Sequence, residues 1–160
     1  MPLLIDNAVV NNHWVDLSEE MLELPIPAGD IVVPLSFYLE CSADLLAREG
    51  RIGVKVNGDD DFSLLYPALS HISMVAIEFP VLRDGRGYSI ARQLVRLGYQ
   101  GEIRAVGDVA HDRLAFMQSS GFNAFLIPDE RFLEDDLSVF DEISVNYQGT
   151  AVDPRPIFRR

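Results

Sequence analysis

Residues 75–128 read VAIEFPVLRDGRGYSIARQLVRLGYQGEIRAVGDVAHDRLAFMQSSGFNAFLIP. Three short apolar runs, residues 75–79, 103–106 and 124–127, are separated by two segments of helical period, residues 87–97 and 110–119. Apolar runs alternating with amphipathic helices predict parallel strands joined by crossover helices. Between the first run and its helix stands Arg83-Asp84-Gly85-Arg86-Gly87-Tyr88-Ser89, the segment densest in chemistry. The rest of the chain reads as a scaffold for it.

Upstream, Ile31-Val32-Val33, ending at Pro34, and Ile52-Gly53-Val54-Lys55-Val56 supply two more strands. Ser36 is expected to cap a helix running to about Arg48, with Leu39, Ala43, Leu46 and Ala47 as its apolar stripe and Gly50 as its stop. Asn57-Gly58-Asp59-Asp60-Asp61 reads as an acidic turn capping a helix from Phe62 to about Ser70. A calcium loop would alternate its ligands and close on a glutamate, which this run does not. A last helix is expected over residues 130–143. The fold class is α/β, with a parallel sheet of about five strands built from βα repeats. Five strands favour an open three-layer sheet over part of a barrel, which needs about eight.

The expected organisation is one α/β domain over residues 1–160, with an N-terminal β appendage (1–24), the βα repeats (31–145) and a C-terminal tail (146–160). In the appendage, Leu3-Leu4-Ile5 and Ala8-Val9-Val10 flank the turn pair Asp6-Asn7, a small antiparallel β element. Trp14 reads as a packing anchor and Glu19, Glu20 and Glu23 as a solvated acidic patch. Pro25, Pro27 and Gly29 mark a connector.

Composition narrows the function classes. Of 160 residues, 48% are hydrophobic and 24% charged, which suits a globular chain with a real core. A net charge of −12 argues against nucleic acid as a partner, because that needs a basic face. No apolar run reaches the roughly 20 residues of a membrane span, so no membrane partner is expected. The first residues lack the pattern of a secretory signal. Cys41 is the single cysteine and is expected to be a small inert side chain in a helix. A reducing, cytoplasmic location fits these features.

In a parallel sheet the loops after each strand gather at the carboxyl edge, where ligands bind. Pro34, residues 57–61, residues 83–89, Gly107-Asp108 and Pro128-Asp129 are expected there. Gly85 and Gly87 permit close backbone approach to a ligand, and the amides near Tyr88 and Ser89 would lie at a helix N-terminus suited to an anion. Arg83 and Arg86 would supply charge in the two-pronged form that grips oxyanions. The competing reading pairs Asp84 with Arg86 and uses Tyr88 to close the core. Arg83, Arg86, Arg92, Arg96 and Arg104 fall close together in sequence, though Arg92 and Arg96 equally suit surface ion pairs. Downstream, Asp108 is expected to cap a helix, with His111 one turn later. An Asp/His pair could do acid–base work, but capping beside a solvent-facing histidine is favoured. His13, His71 and His111 are too far apart in sequence for a zinc pair, and no metal or cofactor is expected. The glycines lack both a dinucleotide fingerprint and a Walker lysine.

Phe79-Pro80, Arg83-Asp84-Gly85-Arg86-Gly87-Tyr88-Ser89 with Ala91-Arg92, Gly98-Tyr99, Gly101-Glu102, Arg104-Ala105-Val106-Gly107-Asp108-Val109 and Gly121-Phe122-Asn123-Ala124-Phe125 closely resemble a bacterial family catalogued as domain of unknown function 934. The resemblance extends more loosely from Ile31 to Arg159-Arg160. It implies a role in assimilatory sulfite reduction, since members are described as oxidoreductases or accessory proteins encoded near the sulfite reductase haemoprotein. That haemoprotein is the partner the resemblance implies. Two departures bear on mechanism. Ser119-Ser120 stands where members often carry Arg-Cys, so a thiol at Ser120 is not available here. Ala110-His111-Asp112-Arg113 replaces a Leu-Arg-Asp-Gln-like run.

Three functions follow from these readings. The favoured one is an accessory protein that binds a small oxyanion or phosphorylated ligand through residues 83–89, Arg104, Asp108 and His111. The others are an oxidoreductase using the same edge, and an interaction domain without a small ligand. With one cysteine and no dinucleotide motif, protein purified from its host is expected to show no flavin, haem or iron–sulfur absorbance. A stoichiometric chromophore retained through gel filtration would contradict this.

Overall fold

Short apolar runs, β-branched in most of them, form the strands of a single sheet. In the computed structural model these are β1 (Leu3–Ile5), β2 (Ala8–Val10), β3 (Val15–Asp16), β4 (Ile31–Pro34), β5 (Ile52–Val56), β6 (Met74–Phe79), β7 (Glu102–Gly107) and β8 (Ala124–Leu126). The helices are α1 (Leu35–Ala47), α2 (Arg86–Arg96) and α3 (His111–Ser120). The structure describes residues 1–17, 26–81, 83–132, 134–141 and 146–157. The expected acidic patch at Glu19, Glu20 and Glu23, Pro25, the end of the last expected helix and Arg159-Arg160 lie outside them.

The strand order is β2-β1-β8-β7-β6-β5-β4-β3. The five expected strands, β4 to β8, are parallel and follow one another in chain order. β3 extends the sheet in parallel beyond β4. The expected antiparallel pair β1–β2 turns through Asp6 and Asn7, both at positive φ (50° and 61°), and joins the opposite edge by pairing with β8. The N-terminal segment therefore supplies strands to both edges of the sheet.

Side chains alternate along each strand, so the sheet has two distinct faces. On one, Ile31, Val33, Val54, Val75, Ile77, Phe79, Ile103, Ala105 and Phe125 form a buried core. Leu35, Tyr38 and Leu45 of α1, Ile90, Ala91 and Leu94 of α2, and Leu114 and Met117 of α3 pack into that same core. The other face holds a smaller cluster, Val32, Met74 and Ala76 with Trp14 and Val106, to which no helix residue belongs. Gly53 makes this packing possible. A Cβ there would lie 2.6 Å from Met74 Cε and 3.3 Å from the Trp14 ring.

Several local expectations differ from the structure. Leu39, Ala43, Leu46 and Ala47 of α1 are exposed, and Leu35, Tyr38 and Leu45 are the buried stripe. The helix starts two residues earlier than expected, directly after Pro34, and is kinked at Cys41 (φ −116°, ψ 21°); Leu35, Tyr38 and Leu45 share one face across the kink. Ser36 is its second residue and does not cap it. The segment after the acidic turn is a 3-10 helix, Phe62–His71, capped as expected by Asp61, whose carboxylate accepts from Ser63 N at 3.1 Å. Pro67 inside it removes a donor that an α-helix would need. In place of one last helix there are two 3-10 segments, Asp129–Arg131 and Glu134–Phe140.

Gly107 closes β7 at φ +85°, and a Cβ there would stand 2.5 Å from Phe79 O. Left-handed backbone and a backbone clash act together, so Gly107→Ala is expected to cost about 1–3 kcal/mol. A thermal melt within a degree of the native protein would contradict this.

Candidate functional site

The carboxyl ends of β6 and β7 are held together by Gly107 paired with Phe79 and by Asp108 N donating to Phe79 O at 2.7 Å. This brings residues 83–89, entering α2, beside residues 107–113, entering α3. Asp84 organises the first loop. Its carboxylate accepts from Arg86 N (3.1 Å), Nε (3.0 Å) and Nη2 (2.8 Å), while Arg86 Nη1 reaches Asp59 at 2.6 Å. The guanidinium lies on Gly58, where a Cβ would sit 2.4 Å from Arg86 Nε. Hydrogen bonds from Arg86 hold the Asp84 carboxyl well below its ordinary value, at about 2. The same contacts raise the pKa of Arg86. All three guanidinium nitrogens of Arg86 therefore point at protein carboxylates.

The two loop glycines serve different ends. Gly87 is buried, and a Cβ there would lie 2.7 Å from the Phe79 ring, so it lets α2 approach β6 closely. Gly85 precedes α2 and meets nothing within 4 Å. Tyr88 packs its ring among Phe79 (5.2 Å), Phe116 (5.0 Å) and Phe122 (6.3 Å). Burial raises its hydroxyl pKa, and the neighbouring Arg113 guanidinium opposes that rise. Arg83 and Ser89 are exposed.

Asp108 does not cap α3. The capping position is Ala110, without a side-chain bond, because the chain turns at Gly107 and runs extended through Ala110. Asp108 is instead the hub of an arginine pair. Its carboxylate meets Arg113 Nη2 at 3.2 Å and also takes Arg131 Nη1, and its carbonyl accepts from Arg113 Nη2. The Arg113 side chain is 11% exposed, and its Nε and Nη1 find no hydrogen-bond partner among the described residues. His111 is half-buried at the first position of α3, with Asp112 beside it in the first turn. Arg92 and Arg96, on the outer side of α2, form no ion pair among the described residues.

Arg104 is not brought to this edge. It lies in the amino half of β7 on the face without helices, 2% exposed, paired with Glu102 (2.5 Å) and Asn12 (3.2 Å). Sequence reading also missed residues that the fold assembles at the carboxyl edge. Arg131 gave no local signal, since its role depends on the approach of β8 to β7. Lys55 bonds both oxygens of Asp16 (3.1 and 3.2 Å) and lines a cleft of 240 Å³ with Ser36, Asn57, Asp60 and Glu78. Two signals were available: Lys55 is the only lysine, and Glu78 interrupts a buried strand. Among the described residues no group of three or more His, Cys, Asp and Glu could hold a metal ion. No described helix is long and apolar enough to cross a membrane.

Because the folded pKa of Asp84 is depressed from 3.8 to about 2, its contribution is complete above the ordinary carboxylate range and is lost as pH falls through about 2. Arg86→Ala is therefore expected to lower the melting temperature at pH 6, with a gap that narrows as pH drops from 4 to about 2. A carboxyl-carbon NMR titration should place Asp84 at about 2 in the native protein and shifted up in the variant, short of the ordinary value because the backbone amide of residue 86 still donates to it. An ordinary titration of Asp84 in the native protein would contradict the pairing.

The family model described as "Bacterial protein of unknown function (DUF934)" matches residues 53–158. That span contains β6, β7, β8 and both loops of the carboxyl edge. No curated protein and no solved structure matches the chain. On the match over residues 53–158, the chain belongs to the bacterial DUF934 family.

Proposed function

We propose that this protein is an accessory protein of bacterial sulfur assimilation that binds a small oxyanion at the carboxyl edge of β6 and β7 and acts with the sulfite reductase haemoprotein. The observation that carries the proposal is Arg113. Its guanidinium is largely buried at the entry to α3 and spends one nitrogen on Asp108; Nε and Nη1 make no well-formed hydrogen bond among the described residues, with the Tyr88 hydroxyl within interacting reach of the guanidinium. A buried donor left unmade costs about 1–3 kcal/mol, and an oxyanion arriving beside Tyr88 would recover part of it. Arg83 and Ser89 flank the same edge from the α2 side, with His111 on the α3 side. Arg86 acts through Asp84 and Asp59 to shape the loop, so the direct contact is assigned to Arg83 and Arg113. The sulfur role rests on what the family resemblance implies. The unbroken order of β4 to β8, with the three α-helices packed against one face, supports reading the sheet as part of a barrel rather than as the open three-layer sheet expected from strand number.

Calorimetric titration with sulfite and sulfate tests the reading. Each charge-assisted hydrogen bond is worth about 1.5–3 kcal/mol, so Arg113→Gln should weaken binding by roughly one to two orders of magnitude. Arg96→Gln, at the far end of α2, should leave it unchanged. A pull-down from native extract should recover sulfite reductase, and its activity in the extract should fall when this protein is removed. Absence of binding heat in the native protein would contradict the anion site. Undiminished reductase activity after removal would contradict the accessory role.

A further inference from the structure

The face without helices carries a second pocket, of 650 Å³, bounded by the β1–β2 hairpin, the segment leading to Trp14 and the amino half of β7. Leu3, Ile5, Val9 and Val10 make an apolar wall, and Trp14 provides an aromatic one. Arg104 stands in the lining with its side chain 3% exposed. Glu102 takes its Nε at 2.5 Å, which fixes the plane of the guanidinium. Of the two terminal nitrogens, Nη1 meets Asn12 Oδ1 at 3.2 Å and the buried Nη2 has no hydrogen-bond partner among the described residues. Asn12 Oδ1 also accepts from Trp14 N at 3.2 Å, so one exposed side-chain amide joins the Arg104 guanidinium to the Trp14 segment. The other guanidinium nearby, Arg51, is already bonded to Asp30 and sits 4.9 Å over the Trp14 ring.

We propose that this pocket binds a small organic carboxylate, with its apolar or aromatic body against the hairpin and Trp14 and its carboxylate on the terminal edge of Arg104. The two terminal nitrogens of a guanidinium edge match a carboxylate's two oxygens. The ligand's first oxygen replaces Asn12 Oδ1 at Nη1, and its second satisfies Nη2, which the described residues leave unpaired. The apolar and aromatic walls separate this ligand from an inorganic oxyanion, which would gain nothing from them. The site is independent of the carboxyl edge: Arg104 lies on the opposite face of the sheet from the helices that carry Tyr88 and Arg113.

Trp14 is the only tryptophan, so its fluorescence reports directly on the pocket. Titration of the whole protein with phenylacetate is expected to give a saturable change. The neutral analogue 2-phenylethanol, and phenylacetate with Arg104→Met, should each bind at least about tenfold more weakly, a loss of at least about 1.4 kcal/mol. Asn12→Ala removes the amide that competes for Nη1 and should tighten phenylacetate binding several-fold. It decides the matter even if Arg104→Met does not fold. No saturable change with phenylacetate, equal binding of the neutral analogue, or unchanged or weaker binding by Asn12→Ala would overturn the proposal.

Discussion

The parallel ladder between β6 and β7 is the constraint on which the rest depends. It pairs six consecutive residues, from Met74 with Glu102 to Phe79 with Gly107. Parallel pairing fixes which side chains stand in one row. Pro34, Lys55, Ala76, Arg104 and Ala124 share such a row across five strands. A slip of one residue in β7 would send Arg104 into the helix-covered core and Ile103 to the other face. The same ladder ends at Gly107, whose left-handed backbone turns Asp108 back onto Phe79 O and so positions the entry to α3 beside the entry to α2.

Charge is arranged differently at the two ends of this ladder. At the carboxyl edge, Arg86 is matched to Asp84 and Asp59, and Arg131 to Asp108. The arginines of these pairs are exposed, so water screens them and each pair adds modest stability, but they fix the shape of the loops. Arg113 differs in being largely desolvated with only part of its donor capacity used. At the amino end Arg104 repeats that condition on the other face, with Glu102 as its anchor. Buried, incompletely satisfied guanidinium groups are costly to a fold. Among the described residues three guanidinium groups are in this state, Arg48, Arg104 and Arg113. Arg48 spends its Nη2 on the Pro27 and Gly29 carbonyls of the connector, while Arg104 and Arg113 stand beside a surface opening and a loop entry, and these two point to ligands.

The sequence carried the strands well. Every expected parallel strand is present within a residue or two of its expected ends, because a buried strand needs a continuous apolar run and such runs are rare elsewhere in the chain. The Asp6-Asn7 hairpin was equally legible, since the turn demands residues that accept positive φ. The buried face of α1 was not, because Leu39 and Leu46 look as much like core residues as Leu35 and Leu45 do. Nor was the role of Asp108. A cap and an ion-pair hub look alike in sequence, and Arg131 reaches Asp108 only through the tertiary fold. The competing reading of Asp84 with Arg86 was visible two residues apart. The separation of Arg104 from the loop followed from strand alternation and was lost when arginines were grouped by distance along the chain.

The central claim is that a small oxyanion is held at the junction of residues 83–89 and 107–113. The measurement that tests it most directly is a nitrogen–proton NMR titration with sulfite, following backbone amides and arginine side-chain Nε groups together. The account predicts saturable shifts confined to the amides of residues 83–89 and 108–113 and the Nε groups of Arg83 and Arg113, with Arg92, Arg96 and Arg155 unmoved. Shifts spread without saturation over the exposed arginines, or none at Arg113, would contradict it.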